Sequence, residues 1–190
     1  NDRNVYDNAN KMFEEVFGYS SVPAQDVGLF YDGNSWPAGG GTANYERIIN
    51  HGFRAMIDEI KERRAALDIK APYREKRNFY DACIIQLESV IAWAHRYAAL
   101  AREKAQNEQN FERRQELLEI AAICDHVPEF PARNLREAMQ SFLLTHLALE
   151  IEVTGCGYSL GYLGHAFQPY YEKDLAEGVT SREEALYLME

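Results

Sequence analysis

Three stretches of this chain carry residue types that could do chemistry. The first is Gly155-Cys156-Gly157-Tyr158-Ser159-Leu160-Gly161, a glycine-rich turn holding a thiol and a hydroxyl. Cys156 sits as a reactive cysteine could, and Ser159 lies at the centre of the run. The second stretch, just upstream, carries His146, Glu150 and Glu152. Carboxylates two apart share a face in a strand but not in a helix, so paired general acid–base work has little support. His146 falls in an apolar stripe with no second histidine or cysteine four residues away, and reads as a hydrogen-bonded core histidine. The third stretch is Tyr19 to Thr42, where Phe30, Tyr31 and Trp36 are interleaved with Pro23, Gly28, Gly33, Pro37 and the run Gly39-Gly40-Gly41. A long aromatic loop inside a compact domain is more often functional than filler. The triple glycine is no phosphate cradle, because it lacks the lysine of GxxxxGK[ST] and a strand leading in. Glycines that let backbone approach closely suit a substrate pocket or a packed partner strand better.

These stretches must be positioned by helices. Residues 1–18 have an amphipathic pattern ending at Gly18. Asn44 can cap a helix in which Tyr45, Ile48, Ile49, Phe53, Met56, Ile57 and Ile60 keep a helical rhythm to about Leu67. The longest run is Glu75 to Gln106, alanine-rich toward its end, and another follows from Phe111 to Cys124. Pro128 and Pro131 fix an extended connector over Val127 to Pro131. Asn134 or a neighbour caps the next helix, which is apolar over much of its circumference and so should be central. Thr180 or Ser181 can cap a last one, with Glu183 and Glu184 in its first turn.

The chain has 190 residues, enough for one domain with a sizeable core. Its net charge of −10 sets it against phosphate backbones, so nucleic acid is not an expected partner. No apolar run reaches the roughly 20 residues that span a bilayer, and a membrane is not an expected partner either. Three widely spaced cysteines, Cys83, Cys124 and Cys156, form no disulfide framework and no CxxC metal pair. A reducing cytoplasm is the expected home, with Cys83 and Cys124 as buried structural thiols. The chain starts at Asn1 and stops inside a helical pattern at Glu190, as expected of a segment of a longer protein.

The stretch from Cys124 to Gly178 has a further property. Val127-Pro128, then Pro131 through Phe142, Glu152, the Gly157–Gly161 turn and Pro169 through Leu175 follow one another in fixed order over some fifty residues. That order resembles the glycyl radical enzymes, the pyruvate formate-lyase-like family. Upstream, Arg77 to Ala82, Arg96 to Ala101, Glu116 to Ala121 and Asn44 to Phe53 are also similar to it. The resemblance implies a partial N-terminal domain over 1–190, with a pocket loop at 19–43, a helical scaffold at 44–124 and the signature helix and turn at 125–178. It implies a mainly α segment with a few short strands, near Gly28 and Val153, forming part of a ten-stranded α/β barrel. It also implies a radical lyase activity using a protein-derived glycyl radical, a radical S-adenosylmethionine activase as partner, a small-molecule substrate and a homo-oligomer. The radical glycine and the thiyl cysteine lie downstream of the matched region in that family, so no catalytic residue and no metal ligand is expected in this segment.

Two departures from the family pattern bear on substrate. Gly40 and Asn44 stand where dehydratase and choline-lyase branches carry His and Asp in G-H-x-x-x-D-Y. Those branches expel water or an amine, which needs a titratable partner. Tyr162 stands where the turn usually carries Arg. Ser159 matches a pocket serine of the arylacetate decarboxylases, and Phe30, Tyr31 and Trp36 suit a flat apolar substrate. The resemblance therefore points to Phe30, Tyr31, Trp36, Asn44 and Ser159 as substrate-binding, and leans to an arylacetate decarboxylase. Another branch (formate acetyltransferase, diol dehydratase, C–N or C–S lyase) stays open. So does a non-catalytic helical scaffold or subunit. A metal-binding bundle is set aside, since facing ExxH pairs are missing.

Overall fold

The computed structural model describes residues 41–67, 74–152 and 159–189. By its contacts the chain divides into residues 44–147 with 160–190, and residues 1–43 with 148–159. Among the described residues the fold is all helix: α1 Tyr45–Ala65, α2 Arg74–Asn107, α3 Phe111–His126, α4 Leu135–Glu152, α5 Leu163–Ala176 and α6 Arg182–Met189.

This corrects the expected fold class. The described residues contain no strand and no part of an α/β barrel. The apolar side chains recur at helical spacing, as on α1, where Tyr45, Ile48, Ile49, Phe53 and Ile57 are buried. The barrel was implied by family resemblance and by no period-two pattern in these residues. The stretch around Gly28 and the start of the other, at Val153, lie outside the described residues, as do the helix expected over 1–18 and residues 19–40 of the loop expected over 19–43.

The core has two parts. Ile48, Phe53 and Ile57 of α1 pack with Ile91 of α2, flanked by Met56, Ile84, Leu87 and Val90. Further along α2, Ala94 and Ala98 meet Cys124 of α3 and Leu144 of α4, beside Trp93 and Ile120. Small alanines bring helix backbones close, and each large aliphatic fully buried stabilises by roughly 1.5–3 kcal/mol. α2 and α3 form a helical hairpin joined at residues 108–110, where Asn110 caps α3 by accepting from the Arg113 N–H at 3.0 Å. Asn44 caps α1 in the same way through Arg47 N–H, also at 3.0 Å. At α6, Ser181 and Glu184 form a capping box, with Ser181 N–H to Glu184 Oε2 at 2.7 Å and Glu184 N–H to Ser181 Oγ at 3.1 Å.

The sequence reads α1 as one helix, but the structure breaks it at Gly52 (φ 71°, ψ 165°). The 127–132 connector fills the break. Phe53 N–H donates to the Pro128 carbonyl at 2.8 Å, Arg54 N–H to Glu129 at 2.9 Å, and Ala132 N–H to Ile49 at 2.9 Å. Backbone groups freed by the kink are thus satisfied by the connector. The peptide bond between Val127 and Pro128 is cis. Helix α5 was not anticipated either, because a glycine-rich turn runs into it and Pro169 lies inside it. It ends in a Schellman motif: Gly178 has φ 67°, Val179 N–H reaches the Asp174 carbonyl at 2.8 Å and Gly178 N–H that of Leu175 at 3.3 Å.

Candidate functional site

The motif residues that carry the family pattern turn out to be struts. Glu137 is 2% exposed, at the first turn of α4. Asn134 caps that turn by accepting from Glu137 N–H at 2.9 Å. The Glu137 carboxylate accepts from the Arg133 backbone N–H at 2.7 Å and from the Arg133 guanidinium Nε at 2.9 Å. Burial alone would raise its pKa. The Arg133 side chain and backbone, with His126 at 3.9 Å, outweigh burial and hold it below the ordinary carboxylate value. Asp174 of α5 is 3% exposed and accepts from the Leu135 N–H at 2.7 Å, so a carboxylate from one helix sits at the N-terminus of another. Lys173 Nζ donates to the Arg133 carbonyl at 3.0 Å, and Tyr170 OH donates to Asn50 Oδ1 at 2.8 Å. Glu129 takes Arg54 Nε at 3.0 Å on one oxygen and stands 3.1 Å from His95 Nε2 on the other. Glu137 could have been found from sequence as the third residue after a capping Asn134; Asp174 left no comparable local signal.

The residues expected to meet substrate fall differently. Phe30, Tyr31 and Trp36 lie outside the described residues, as do Gly40 and Cys156. Asn44 is exposed, and its Oδ1 is engaged as the α1 cap, so its amide NH2 half is what could reach a ligand. Ser159 is exposed, and its backbone N–H donates to the Gly41 carbonyl at 3.0 Å. Tyr162, in the position of the family arginine, is 93% exposed and heads α5 without a side-chain capping bond. Glu150 is half-buried, and the side chain of Glu152 lies outside the described residues.

Directly after Asn44, Tyr45 is 4% exposed, and its hydroxyl lies 2.9 Å from His146 Nδ1. Phe142, one turn before His146, stacks on the imidazole (centroids 5.6 Å, planes 14° apart) and meets the Tyr45 ring edge-on at 4.8 Å. Phe167 of α5 closes the group against Phe142 at 5.9 Å. His146 is thus hydrogen-bonded, as its place in the stripe implies, but half-buried rather than enclosed in the core.

The cysteines divide. Cys124 is buried, and burial pushes its thiol pKa up, which keeps it protonated and unreactive. Cys83, expected to be buried as well, is only half-buried because its part of α2 is less covered. A brief treatment of the native protein with a maleimide should label Cys83 and spare Cys124 until denaturant is added. Peptide mass spectrometry reads this, and equal labelling of the two would contradict the packing around Cys124. Among the described residues, no three or more His, Cys, Asp or Glu side chains gather in a way that could hold a metal ion.

Comparison with known proteins sets these positions in context. The family model described as pyruvate formate lyase-like matches residues 7–190. An isethionate sulfite-lyase from Nitratidesulfovibrio vulgaris is 43% identical over 150 residues, covering 77% of this chain and 18% of that protein. An indoleacetate decarboxylase from Tractidigestivibacter scatoligenes is 36% identical over 178 residues, covering 89% of this chain and 19% of the relative. A solved structure described under 1,2-propanediol dehydration in Roseburia inulinivorans superposes with a TM-score of 0.81 at 37% identity, over 88% of this chain and 20% of that one. The chain therefore spans about a fifth of the length of the relatives it matches. With the family match running through nearly all of its residues, the chain belongs to the pyruvate formate lyase-like family of glycyl radical enzymes.

Proposed function

We propose that this chain is the N-terminal scaffold region of a longer glycyl radical lyase, and that the lyase cleaves a carbon–heteroatom bond in a small polar molecule, with carbon–sulfur cleavage as the first candidate. The observation that carries this reading is the 43% identity with an isethionate sulfite-lyase. Leaving-group chemistry agrees with it. Gly40 and Asn44 provide no titratable pair, and water or an amine leaves poorly without a proton donor. Sulfite departs already charged and needs none at that place. Of the residues expected at the substrate, Asn44 and Ser159 carry neutral polar groups, and Phe30, Tyr31 and Trp36 carry aromatic rings. The radical itself would be held by a glycine of the longer protein and installed by a radical S-adenosylmethionine activase.

A second reading, decarboxylation of an arylacetate, is favoured by one specific observation. The indoleacetate decarboxylase aligns over 89% of this chain, more than the 77% reached by the sulfite-lyase. The three loop aromatics suit its substrate. One assay separates the readings. The full-length protein, activated anaerobically, is given isethionate, indoleacetate or propane-1,2-diol in turn. Sulfite release from isethionate alone supports carbon–sulfur cleavage. Release of 3-methylindole from indoleacetate moves the assignment to the decarboxylase, and propanal from the diol moves it to a dehydratase.

A further inference from the structure

The geometry points to Tyr45 and His146 as positioning residues for Asn44, acting through the first turn of α1. The inference rests on the proposed role of Asn44 at the substrate. Among residues 44–47 only Tyr45 is buried; Asn44, Glu46 and Arg47 are exposed. The first turn of a helix has few bonds of its own, so the one side chain anchored in the core decides where the turn sits. Contact between rings lets Tyr45 pivot against Phe142, and the 2.9 Å bond from its hydroxyl to His146 Nδ1 removes that freedom. His146 is itself held by stacking on Phe142 one turn away. Asn44, adjacent in the chain and bonded to Arg47 N–H, inherits the setting.

Four variants of the full-length protein test it. Tyr45→Phe and His146→Phe each delete the bond while keeping a ring against Phe142, and His146→Asn places an amide near where Nδ1 stood. Hydrogen–deuterium exchange of the segment 44–50 is read first, since it needs no substrate. Both Phe variants should exchange about tenfold faster there. KM for whichever of isethionate, indoleacetate or propane-1,2-diol the wild type consumes should rise roughly three- to tenfold, with kcat within about twofold. His146→Asn should restore much of both. The double Phe variant separates positioning from mere stability. It removes both ends of the Tyr45–His146 bond together, so its melting temperature should recover toward wild type while KM stays high. Unchanged exchange in both single variants, or a KM that recovers together with melting temperature in the double variant, overturns the inference. Asn44→Ala is the control on the underlying reading. If it leaves KM unchanged, the substrate role of Asn44 fails, while the exchange data still decide whether the pair holds the turn.

Discussion

Replacing Gly52 by alanine should lower the stability of the protein by roughly 3–5 kcal/mol. Two independent costs combine. At φ 71° and ψ 165° the backbone occupies a region that only glycine visits readily. A Cβ built at this position would also stand 2.5 Å from the Glu129 carbonyl oxygen and 2.6 Å from the Phe130 carbonyl carbon. Both neighbours are backbone, so no side chain can swing away. Relief would require the connector to lift off α1, breaking the bonds from Phe53, Arg54 and Ala132. The expected result is a large fall in the urea midpoint of the full-length protein. A midpoint within error of wild type would mean that the connector is not seated in the kink of α1.

The second large effect belongs to Glu137. Its carboxylate is buried and bonded to a backbone N–H and a guanidinium, both charge-assisted contacts. Glu137→Gln keeps the shape and loses the charge. It should destabilise by about 2–3 kcal/mol near neutral pH, toward the lower end for a buried ion pair because the Arg133 side chain is largely exposed to water. The pH dependence follows from the direction of the shift. The folded pKa lies below the unfolded value, so the stabilisation is complete above the unfolded carboxyl pKa of about 4.3 and disappears as pH falls through the folded value. In the Gln variant that acid-side loss should be absent from the difference curve. Equal acid sensitivity in wild type and Glu137→Gln, measured by urea denaturation between about pH 3 and 7, would contradict this account.

Much of the helical frame was legible in the sequence because its signals are local. The 3.6-residue rhythm of α1 and the prolines of the connector, with Asn44, Asn134 and Ser181 at helix starts, act over a few residues and survive into the structure. The kink at Gly52 was not legible. Its cause is a connector some seventy-five residues away, and nothing near Gly52 announces it. Helix α5 was hidden for a different reason. Pro169 and the glycines around 155–164 signal a turn, although Ala166, Phe167, Tyr170 and Asp174 already keep helical spacing. The barrel strands were an inference from kinship and had no pattern in these residues to support them.

The site divides along the same line. Asn44 was singled out both as a cap and as a substrate residue; the cap is present, and the second role is a proposal. His146 was read correctly as hydrogen-bonded, although it is half-buried, and its partner could not be read, since Tyr45 is a hundred and one residues away. Glu137 and Asp174 entered only as letters of a motif, and the structure gives them work: each holds backbone at the start of α4.

The central claim is that these helices belong to a radical lyase. Its most direct test is an electron paramagnetic resonance spectrum of the full-length protein, prepared without oxygen after incubation with its activase and S-adenosylmethionine. The account predicts a doublet from a glycyl radical, lost on exposure to air. A silent spectrum, from an activase proven on another member of the family, would contradict it and would shift the weight to a helical scaffold without radical chemistry.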